Sequence, residues 1–88
     1  MLKIGITGQN GFVGQHLYNS LGLVPESYKL IDFEKSFFEN DLQLDTFVSQ
    51  CDVIVHLAAM NRHEDQQVIY NTNIQLVEEL ISSLNRTN

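Results

Sequence analysis

Short apolar runs alternate along the chain with stretches in which apolar residues recur at helical spacing. Residues 3–6 and 28–31 form two β-type runs, and residues 52–59 form a third that only His56 interrupts. Each run is followed by positions at which apolar side chains return every few residues, which is typical of an amphipathic helix. The pattern therefore predicts strand, helix, strand, short helix, strand and helix, in that order.

Glycine and polar residues mark where the predicted helices begin and end. The first helix starts within residues 11–14 and stops near Gly22, a residue type that favours helix ends. The second starts at residues 40–41, an Asn-Asp pair of the kind that caps helices. The third has a core-facing apolar stripe from about residue 74 onward, and we expect the polar residues 85–88 to fray.

Alternating strands and helices favour a parallel sheet with helices on both faces. The apolar run of residues 52–59 fits a strand buried on both faces of such a sheet. We therefore predict an α/β fold of Rossmann type, a doubly wound parallel sheet of which residues 1–88 form the N-terminal half only, βαβαβα. The predicted strand order is 3-2-1, so the first strand has an open edge. Because open apolar edges pair with other chains, we expect a homo-oligomer that covers this edge.

Composition limits the function classes that remain. The 88 residues suffice for one small domain, and 43% hydrophobic with 18% charged residues is typical of a globular one. A formal charge of −6, with only five Lys and Arg, argues against a nucleic acid or an anionic membrane as partner. The sequence has one cysteine, Cys51, and no apolar stretch long enough to cross a bilayer. We therefore expect a cytoplasmic protein without an internal disulfide.

Residues 7–14 read Thr-Gly-Gln-Asn-Gly-Phe-Val-Gly and directly follow the first predicted strand. A strand, a glycine-rich turn and a helix form the arrangement that points the first free N–H groups of a helix at a phosphate. Gly8 would leave the strand with positive φ, Gly11 would let the backbone approach a pyrophosphate, and Gly14 would let the helix pack closely on the sheet. The alternative is an ordinary strand-to-helix turn without a ligand. Together with its flanking elements, the motif predicts a dinucleotide site.

Asp32 ends the second predicted strand and lies 24 residues after Gly8. This is close to the spacing of about 20 residues at which a carboxylate accepts hydrogen bonds from the ribose hydroxyls of NAD. A carboxylate there disfavours the 2′-phosphate of NADP, whereas the ammonium group of Lys35 would favour it. The sequence therefore predicts NAD as the cofactor and leaves NADP open. A solvated strand end is the alternative interpretation of Asp32.

Other reactive side chains are interpreted as structural. His63, Glu64 and Asp65 are adjacent in sequence and cannot all face one ion, which predicts a solvated loop and no metal site. For Arg62, a contact with a phosphate of a nucleotide sugar is the alternative to a surface position. His16 is expected to be a partly buried packing residue and Cys51 a small structural one. His56 is expected to be a hydrogen-bonded core histidine, with a role as a base as the alternative.

The motif of residues 7–14 resembles the Thr-Gly-x-x-Gly-Phe-(Ile/Val)-Gly signature of the extended short-chain dehydrogenases/reductases, the NAD-dependent epimerase/dehydratase family that acts mainly on nucleotide sugars. Residues 41–42 are similar to that family's Asp-Leu pair beside the adenine, residues 55–59 to its segment lining the cofactor, and Asn73 to the Asn that opens its next long helix. Residues 76–77 depart from the Gly-Thr that often follows this Asn. The candidate cofactor-binding residues are Thr7, Gly8, Asn10, Gly11, Phe12, Val13, Gly14, Asp32, Lys35, Asp41, Leu42, Leu57, Ala58, Ala59 and Asn73.

Residues 56–62 are also similar to the His-Leu-Ala-Gly-x-Asn-Arg stretch of bacterial capsular-polysaccharide enzymes that epimerise and reduce UDP-linked amino sugars. In that subfamily a cupin domain follows the dehydrogenase domain, and this sequence contains no trace of one. This resemblance, which rests on a single loop, implies a role in polysaccharide biosynthesis.

The proton-transfer pair of the family, a Tyr with a Lys four residues later, is absent from these 88 residues. The residues four positions after the three tyrosines are Gly22, Asp32 and Ile74. We therefore assign no catalytic residue and interpret the chain as the N-terminal NAD(P)-binding part of a nucleotide-sugar epimerase, dehydratase or reductase, inactive by itself. The alternatives are a non-catalytic NAD(P)-sensing regulatory domain and a nucleotide-free interaction module on the same fold.

Overall fold

Strands and helices alternate in the predicted order within residues 1–87, which the computed structural model describes. The elements are β1 (Leu2–Thr7), α1 (Phe12–Gly22), β2 (Tyr28–Ile31), a 3-10 helix (Lys35–Glu39), α2 (Asp41–Gln50), β3 (Val53–His56) and α3 (Gln66–Thr87). The predicted α/β arrangement is confirmed. The 3-10 helix is an additional element that the hydrophobic pattern does not predict.

β1 lies in the middle of a three-stranded parallel sheet with the order β2-β1-β3. Ile4 pairs with Leu30 of β2 on one side and with Val53 of β3 on the other. The predicted order 3-2-1 is therefore wrong. Residues 4–7 of β1 are all buried, whereas the residues of β2 are half-buried or exposed, which is in keeping with a central position for β1.

The outer position of β3 changes two further expectations. Val53 is 42% exposed and the other residues of β3 are half-buried, so the prediction of a strand buried on both faces is wrong. β1 is paired on both sides within the described sheet, so the open edge expected for it is wrong as well. The homo-oligomer stays a prediction, but the β1 edge no longer supports it.

A cluster of apolar side chains forms the core on one face of the sheet. Gly5 of β1 lets the Phe47 ring approach, because a Cβ there would lie 2.5 Å from Phe47 Cζ. α1 is expected on the opposite face, because the right-handed crossovers from β1 to β2 and from β2 to β3 run in opposite directions. The buried members of the core cluster are Phe33, Leu44, Phe47, Val48 and Leu80.

Only part of the apolar stripe predicted for α3 reaches this core. Leu80 and Ser83 are buried, whereas four other positions are between 39% and 51% exposed: Ile74, Val77, Ile81 and Leu84. The prediction of a core-facing stripe is wrong for these four positions, which lie outside the buried contact of α3 with the core. No helix within residues 1–87 is both long enough and apolar enough to span a membrane.

Two polar side chains of α3 fasten it to Asp45 of α2. The buried Ser83 hydroxyl donates to Asp45 Oδ1 at 2.6 Å, and the Arg86 guanidinium donates to both carboxylate oxygens at 2.8 to 3.1 Å. α3 consequently stays helical to Thr87. The fraying predicted for residues 85–87 is wrong, and residue 88 lies outside the described residues.

The Asp45 contacts predict how stability depends on pH. The hydrogen bonds from Arg86 and Ser83 hold the pKa of the Asp45 carboxyl below its ordinary value of 3.8. Its stabilising contribution is therefore present above pH 3.8 and is lost as the pH falls through the lower pKa of the folded chain. We expect the free energy of unfolding to fall less steeply with acidification in Asp45→Asn than in the wild type.

Urea denaturation at a series of pH values measures this dependence. Asp41→Asn is the control, since the Asp41 side chain is 82% exposed and lies 3.8 Å from the Arg86 guanidinium. We expect this variant to follow the wild-type pH profile. Identical profiles for the wild type and Asp45→Asn would contradict the role assigned to Asp45.

Candidate functional site

The glycine turn between β1 and α1 leaves the first amides of α1 available. Gly8 has a φ of 80°, and its carbonyl oxygen accepts a hydrogen bond of 3.0 Å from the Gly11 amide. α1 begins at Phe12 with Gly11 as its extended N-cap, and no side chain among the described residues caps it. Helix geometry leaves the N–H groups of a first turn without carbonyl partners. The amides of residues 12–14 are thus available to an anion.

Backbone crowding explains two of the three motif glycines. A Cβ at Gly8 would lie 2.7 Å from the Ala58 nitrogen, and one at Gly14 would lie 2.8 Å from the Gly8 carbonyl carbon and 2.9 Å from Gln9 Cα. The nearest neighbours of Gly14 therefore belong to the turn itself and not to the sheet. Gly11 differs, because it is exposed and a Cβ there would meet only the Gly8 carbonyl oxygen, at 3.3 Å.

Thr7 ties the end of β1 to the loop after β3. Its buried hydroxyl oxygen accepts hydrogen bonds from the Leu57 and Ala58 amides at 3.1 and 3.2 Å, and it lies 2.6 Å from His56 Nδ1. Since both lone pairs of this oxygen are used, its proton points to Nδ1, which assigns the Nε2–H tautomer to His56. Burial lowers the pKa of His56, in keeping with a neutral ring. Thr7 thus positions the loop, and His56 is hydrogen-bonded within the fold.

We expect Thr7→Val to destabilise the fold by about 2 kcal/mol, because it leaves the Ala58 amide and the His56 ring without their partner. Urea denaturation followed by circular dichroism measures the change. Thr46→Val is the matched control, since Thr46 is exposed and its hydroxyl bonds only within α2. A loss of less than about 0.5 kcal/mol is expected there. Equal losses in the two variants would contradict the role of Thr7.

A cavity of about 350 Å³ lies beside the glycine turn. Its walls come from the turn, the segment after β2, the loop after β3 and one side of α3, and its size is in the range of small-molecule sites. The cavity brings together seven of the predicted cofactor-binding residues: Gly8, Asn10, Gly11, Lys35, Leu57, Ala58 and Ala59. The rest of the lining is Gln9, Phe33, Phe38, Met60, Asn61, Thr72 and Leu76.

Several predicted residues lie beside the cavity without lining it. Phe12 and Val13 are 81% and 62% exposed on the first turn of α1, where their amides belong to the available set. Asp32 is exposed and directly precedes Phe33, whose buried ring is part of the wall. Phe12 and Val13 can therefore contribute their backbone amides to the site, and Asp32 can contribute its carboxylate.

Three other predicted residues belong to α2 and α3. Asp41 and Leu42 are exposed at the start of α2 and are not among the described residues that line the cavity. Asn73 holds the loop after β3, because its amide oxygen accepts from the Met60 amide at 2.6 Å and its nitrogen donates to the Met60 carbonyl at 3.1 Å. Since Met60 lines the cavity, Asn73 acts on its shape through this loop.

Gln9 fixes the glycine turn to the segment after β2, and sequence reasoning does not find it. Its Nε2 donates to the Phe33 carbonyl at 2.9 Å, while its Oε1 is buried and receives no hydrogen bond from residues 1–87. Gln9 occupies a variable position of the glycine motif, so the motif gives no signal for it. The length and polarity of this side chain beside crowded glycines are the only features that single it out.

The charge distribution of the cavity suits an anionic ligand. None of the described lining residues is acidic, although the whole chain has a formal charge of −6. Lys35 is the one charged residue of this lining, and Asn10 and Asn61 are among its polar residues. The N-terminus of α1 adds partial positive charge. These groups fit the diphosphate of a dinucleotide.

The remaining reactive side chains have structural surroundings. Cys51 Sγ donates to a backbone carbonyl of α2 at 3.2 Å, and burial raises the pKa of this thiol to about 11. His16 meets the Phe12 ring edge-on but is exposed, so its predicted partial burial is wrong. The exposed His63 ring accepts a hydrogen bond from the Asp65 amide. Within residues 1–87, no three His, Cys, Asp or Glu side chains are grouped so as to hold a metal ion.

A sequence model of the NAD dependent epimerase/dehydratase family matches residues 4–88, nearly the whole chain. The chain belongs to the NAD-dependent epimerase/dehydratase family. This family is the extended short-chain dehydrogenase/reductase group that the motif of residues 7–14 resembles, so that resemblance is confirmed. The narrower resemblance to the capsular-polysaccharide subfamily stays a prediction.

A solved structure with a similar fold is that of the UDP-N-acetylglucosamine 4-epimerase from Bacillus cereus, which matches with a TM-score of 0.74 and 22% sequence identity. The match covers 100% of this chain and 36% of the epimerase chain, so this chain spans about a third of that length. The similarity confirms the Rossmann-type fold predicted for this family member. The curated proteins include no significant match.

Proposed function

We propose that this chain is the N-terminal NAD-binding part of a nucleotide-sugar epimerase, dehydratase or reductase. Three features coincide at one corner of the fold: the available amides of α1, the cavity, and the carboxyl end of β1, with β2 and β3 paired on its two sides. In open parallel sheets, ligands bind at such a switch point, beyond the carboxyl ends of the strands. Family membership supports a nicotinamide dinucleotide as the ligand.

In this proposal, different residues of the chain hold different parts of the cofactor. The amides of residues 12–14 bind the diphosphate, and Gly11 leaves the space for it. Asp32 and Lys35, which follow β2, lie on the side of the adenosine ribose. Residues 57–59 follow β3 and keep water from the nicotinamide side with small apolar surfaces. The bound cofactor supplies hydride transfer, which no protein side chain provides.

Proton transfer is not assigned to these residues. The 88 residues contain no Tyr with a Lys four positions later. Their role in this proposal is therefore to bind and orient the cofactor. The proton-transferring groups and most of the sugar site then belong to the remainder of the parent enzyme. The similarity of residues 56–62 to the capsular-polysaccharide enzymes favours a UDP-linked amino sugar as substrate and cytoplasmic polysaccharide biosynthesis as the setting.

Isothermal titration calorimetry of the chain with NAD and with NADP tests the cofactor assignment. We expect binding of NAD and weaker binding of NADP, because the Asp32 carboxylate disfavours a 2′-phosphate. Tighter binding of NADP would overturn the preference for NAD and give Lys35 the larger role. Absence of heat with both cofactors would contradict the function and favour the nucleotide-free module.

The coding sequence downstream of residue 88 separates an enzyme from a regulator. A Tyr-x-x-x-Lys motif there is expected for a parent enzyme of this family. A downstream sequence without this pair, combined with NAD binding by the chain, would favour the dinucleotide-sensing regulatory domain.

A further inference from the structure

Gln9 joins the two segments between which the adenosine ribose of a dinucleotide lies in Rossmann folds. Its Nε2 donates to the Phe33 carbonyl at 2.9 Å, so the amide reaches from the glycine turn to the residue after Asp32. This bond also determines which way the amide is turned, because the reversed amide would set two carbonyl oxygens against each other. The side chain thus forms part of the cavity wall with its oxygen directed away from Phe33.

The Oε1 atom of Gln9 is a buried acceptor to which no group of residues 1–87 donates. Buried polar atoms are nearly always hydrogen-bonded, and an unpaired one destabilises the free chain. A ligand that offers a hydroxyl donor to Oε1 supplies the missing hydrogen bond. A ligand that offers only acceptors leaves Oε1 unpaired.

The groups around this point favour a donor. The Phe33 carbonyl and Gln9 Oε1 are both acceptors, and Asp32, whose carboxylate is a third, directly precedes Phe33 in the sequence. A ribose 2′-hydroxyl supplies a proton to such a group of acceptors, whereas a 2′-phosphate ionised at neutral pH presents mainly acceptor oxygens. Lys35, which also lines the cavity, carries a positive charge that favours a 2′-phosphate instead. The choice between NAD and NADP therefore depends on which of the two influences is stronger.

We infer that Gln9 is a specificity-determining residue that selects NAD over NADP. On binding, the Gln9 side chain gives up its hydrogen bond to the Phe33 carbonyl and rotates, so that the buried Oε1 reaches the 2′-hydroxyl of the adenosine ribose and accepts a hydrogen bond from it. This inference rests on the proposed function and deepens it, because position 9 is a variable position of the family signature and the family motif assigns it no contact.

Calorimetric titration of three variants with NAD and NADP tests the inference. Gln9→Met keeps the length of the side chain and removes both its donor and its acceptor. We expect the ratio of the NADP and NAD dissociation constants to fall about tenfold, as for the loss of one buried hydrogen bond, mainly through weaker NAD binding. Gln9→Glu keeps an acceptor and adds a negative charge, so its ratio stays at or above the wild-type value. Gln15→Met is the matched control on the exposed side of α1, with an unchanged ratio.

The melting temperature of each variant without ligand provides an independent readout. Gln9→Met loses one hydrogen bond but also removes the unpaired acceptor, so we expect its melting temperature to stay within about 4 °C of the wild type. A ratio within twofold of the wild type in Gln9→Met, or an equal change in Gln15→Met, would overturn the inference and leave the proposed function standing. Absence of binding of both cofactors to the wild type would overturn the two together.

Discussion

Alanine in place of Gly8 is expected to destabilise the chain by about 3 kcal/mol or more, a large part of the stability of a small domain. Gly8 has a φ of 80°, a conformation that strains an L-residue by about 1–2 kcal/mol. The added Cβ would also lie 2.7 Å from the Ala58 nitrogen and 2.8 Å from the Leu57 carbonyl carbon. Both are backbone atoms that cannot rotate away. The turn or the loop after β3 therefore has to move.

Thermal and urea denaturation followed by circular dichroism measure this loss, and the melting temperature is expected to fall by more than about 12 °C. Gly22→Ala is the matched control, since the nearest atom to a Cβ there is Leu30 Cδ1 at 4.0 Å. Gly22 is the last residue of α1, and alanine there is expected to raise stability slightly, by at most about 1 kcal/mol. Equal stability of the two variants would refute the account of the glycine turn.

Valine in place of Gly11 is expected to weaken NAD binding at least about a hundredfold while the chain stays folded. Gly11 is exposed and extended, and its φ of −75° is open to any residue. The Cβ would meet only the Gly8 carbonyl oxygen, at 3.3 Å, so a shift of a few tenths of an ångström accommodates it. The branched side chain would nevertheless occupy the space in front of the α1 amides where the diphosphate lies.

Calorimetry with NAD measures the loss, and denaturation of the same samples establishes that they are folded. A change in stability within about 1 kcal/mol is expected, because valine is a poorer N-cap residue than glycine. Gln15→Val introduces the same side chain on an exposed position of α1 that does not line the cavity, and it is expected to bind NAD as the wild type does. Unimpaired NAD binding by Gly11→Val would contradict the proposed position of the diphosphate.

The helices and strands are predictable from sequence because their signals are local. Gly22 ends α1 as predicted, and the Asn40 side chain accepts a hydrogen bond from the Gln43 amide as the cap of α2. Strand order is different, because hydrophobic spacing does not say on which side of β1 a later strand pairs. The chain passes through the 3-10 helix and α2 before β3 reaches the far side of β1. That path depends on long-range packing, and the apolar pattern of α2 does not predict on which side of β1 the next strand pairs.

The candidate site also has parts that are predictable from local sequence and parts that are not. The glycine turn and the loop at residues 57–59 are both predicted from contiguous motifs, and both line the cavity. Thr72 and Leu76 line it from α3, where their spacing is that of an ordinary helix and gives no functional signal. The unpaired Gln9 oxygen arises only when the segment after β2 lies against the turn. These contributions require the three-dimensional arrangement of elements distant in sequence.

An amide-resolved NMR titration of the chain with NAD tests the central claim most directly, because it reports which backbone N–H groups meet the cofactor. We expect the largest shift changes at residues 8–14, with a second group at residues 57–59. Shift changes that bypass the N-terminus of α1, or that fall mainly on the exposed face of α3, would contradict it.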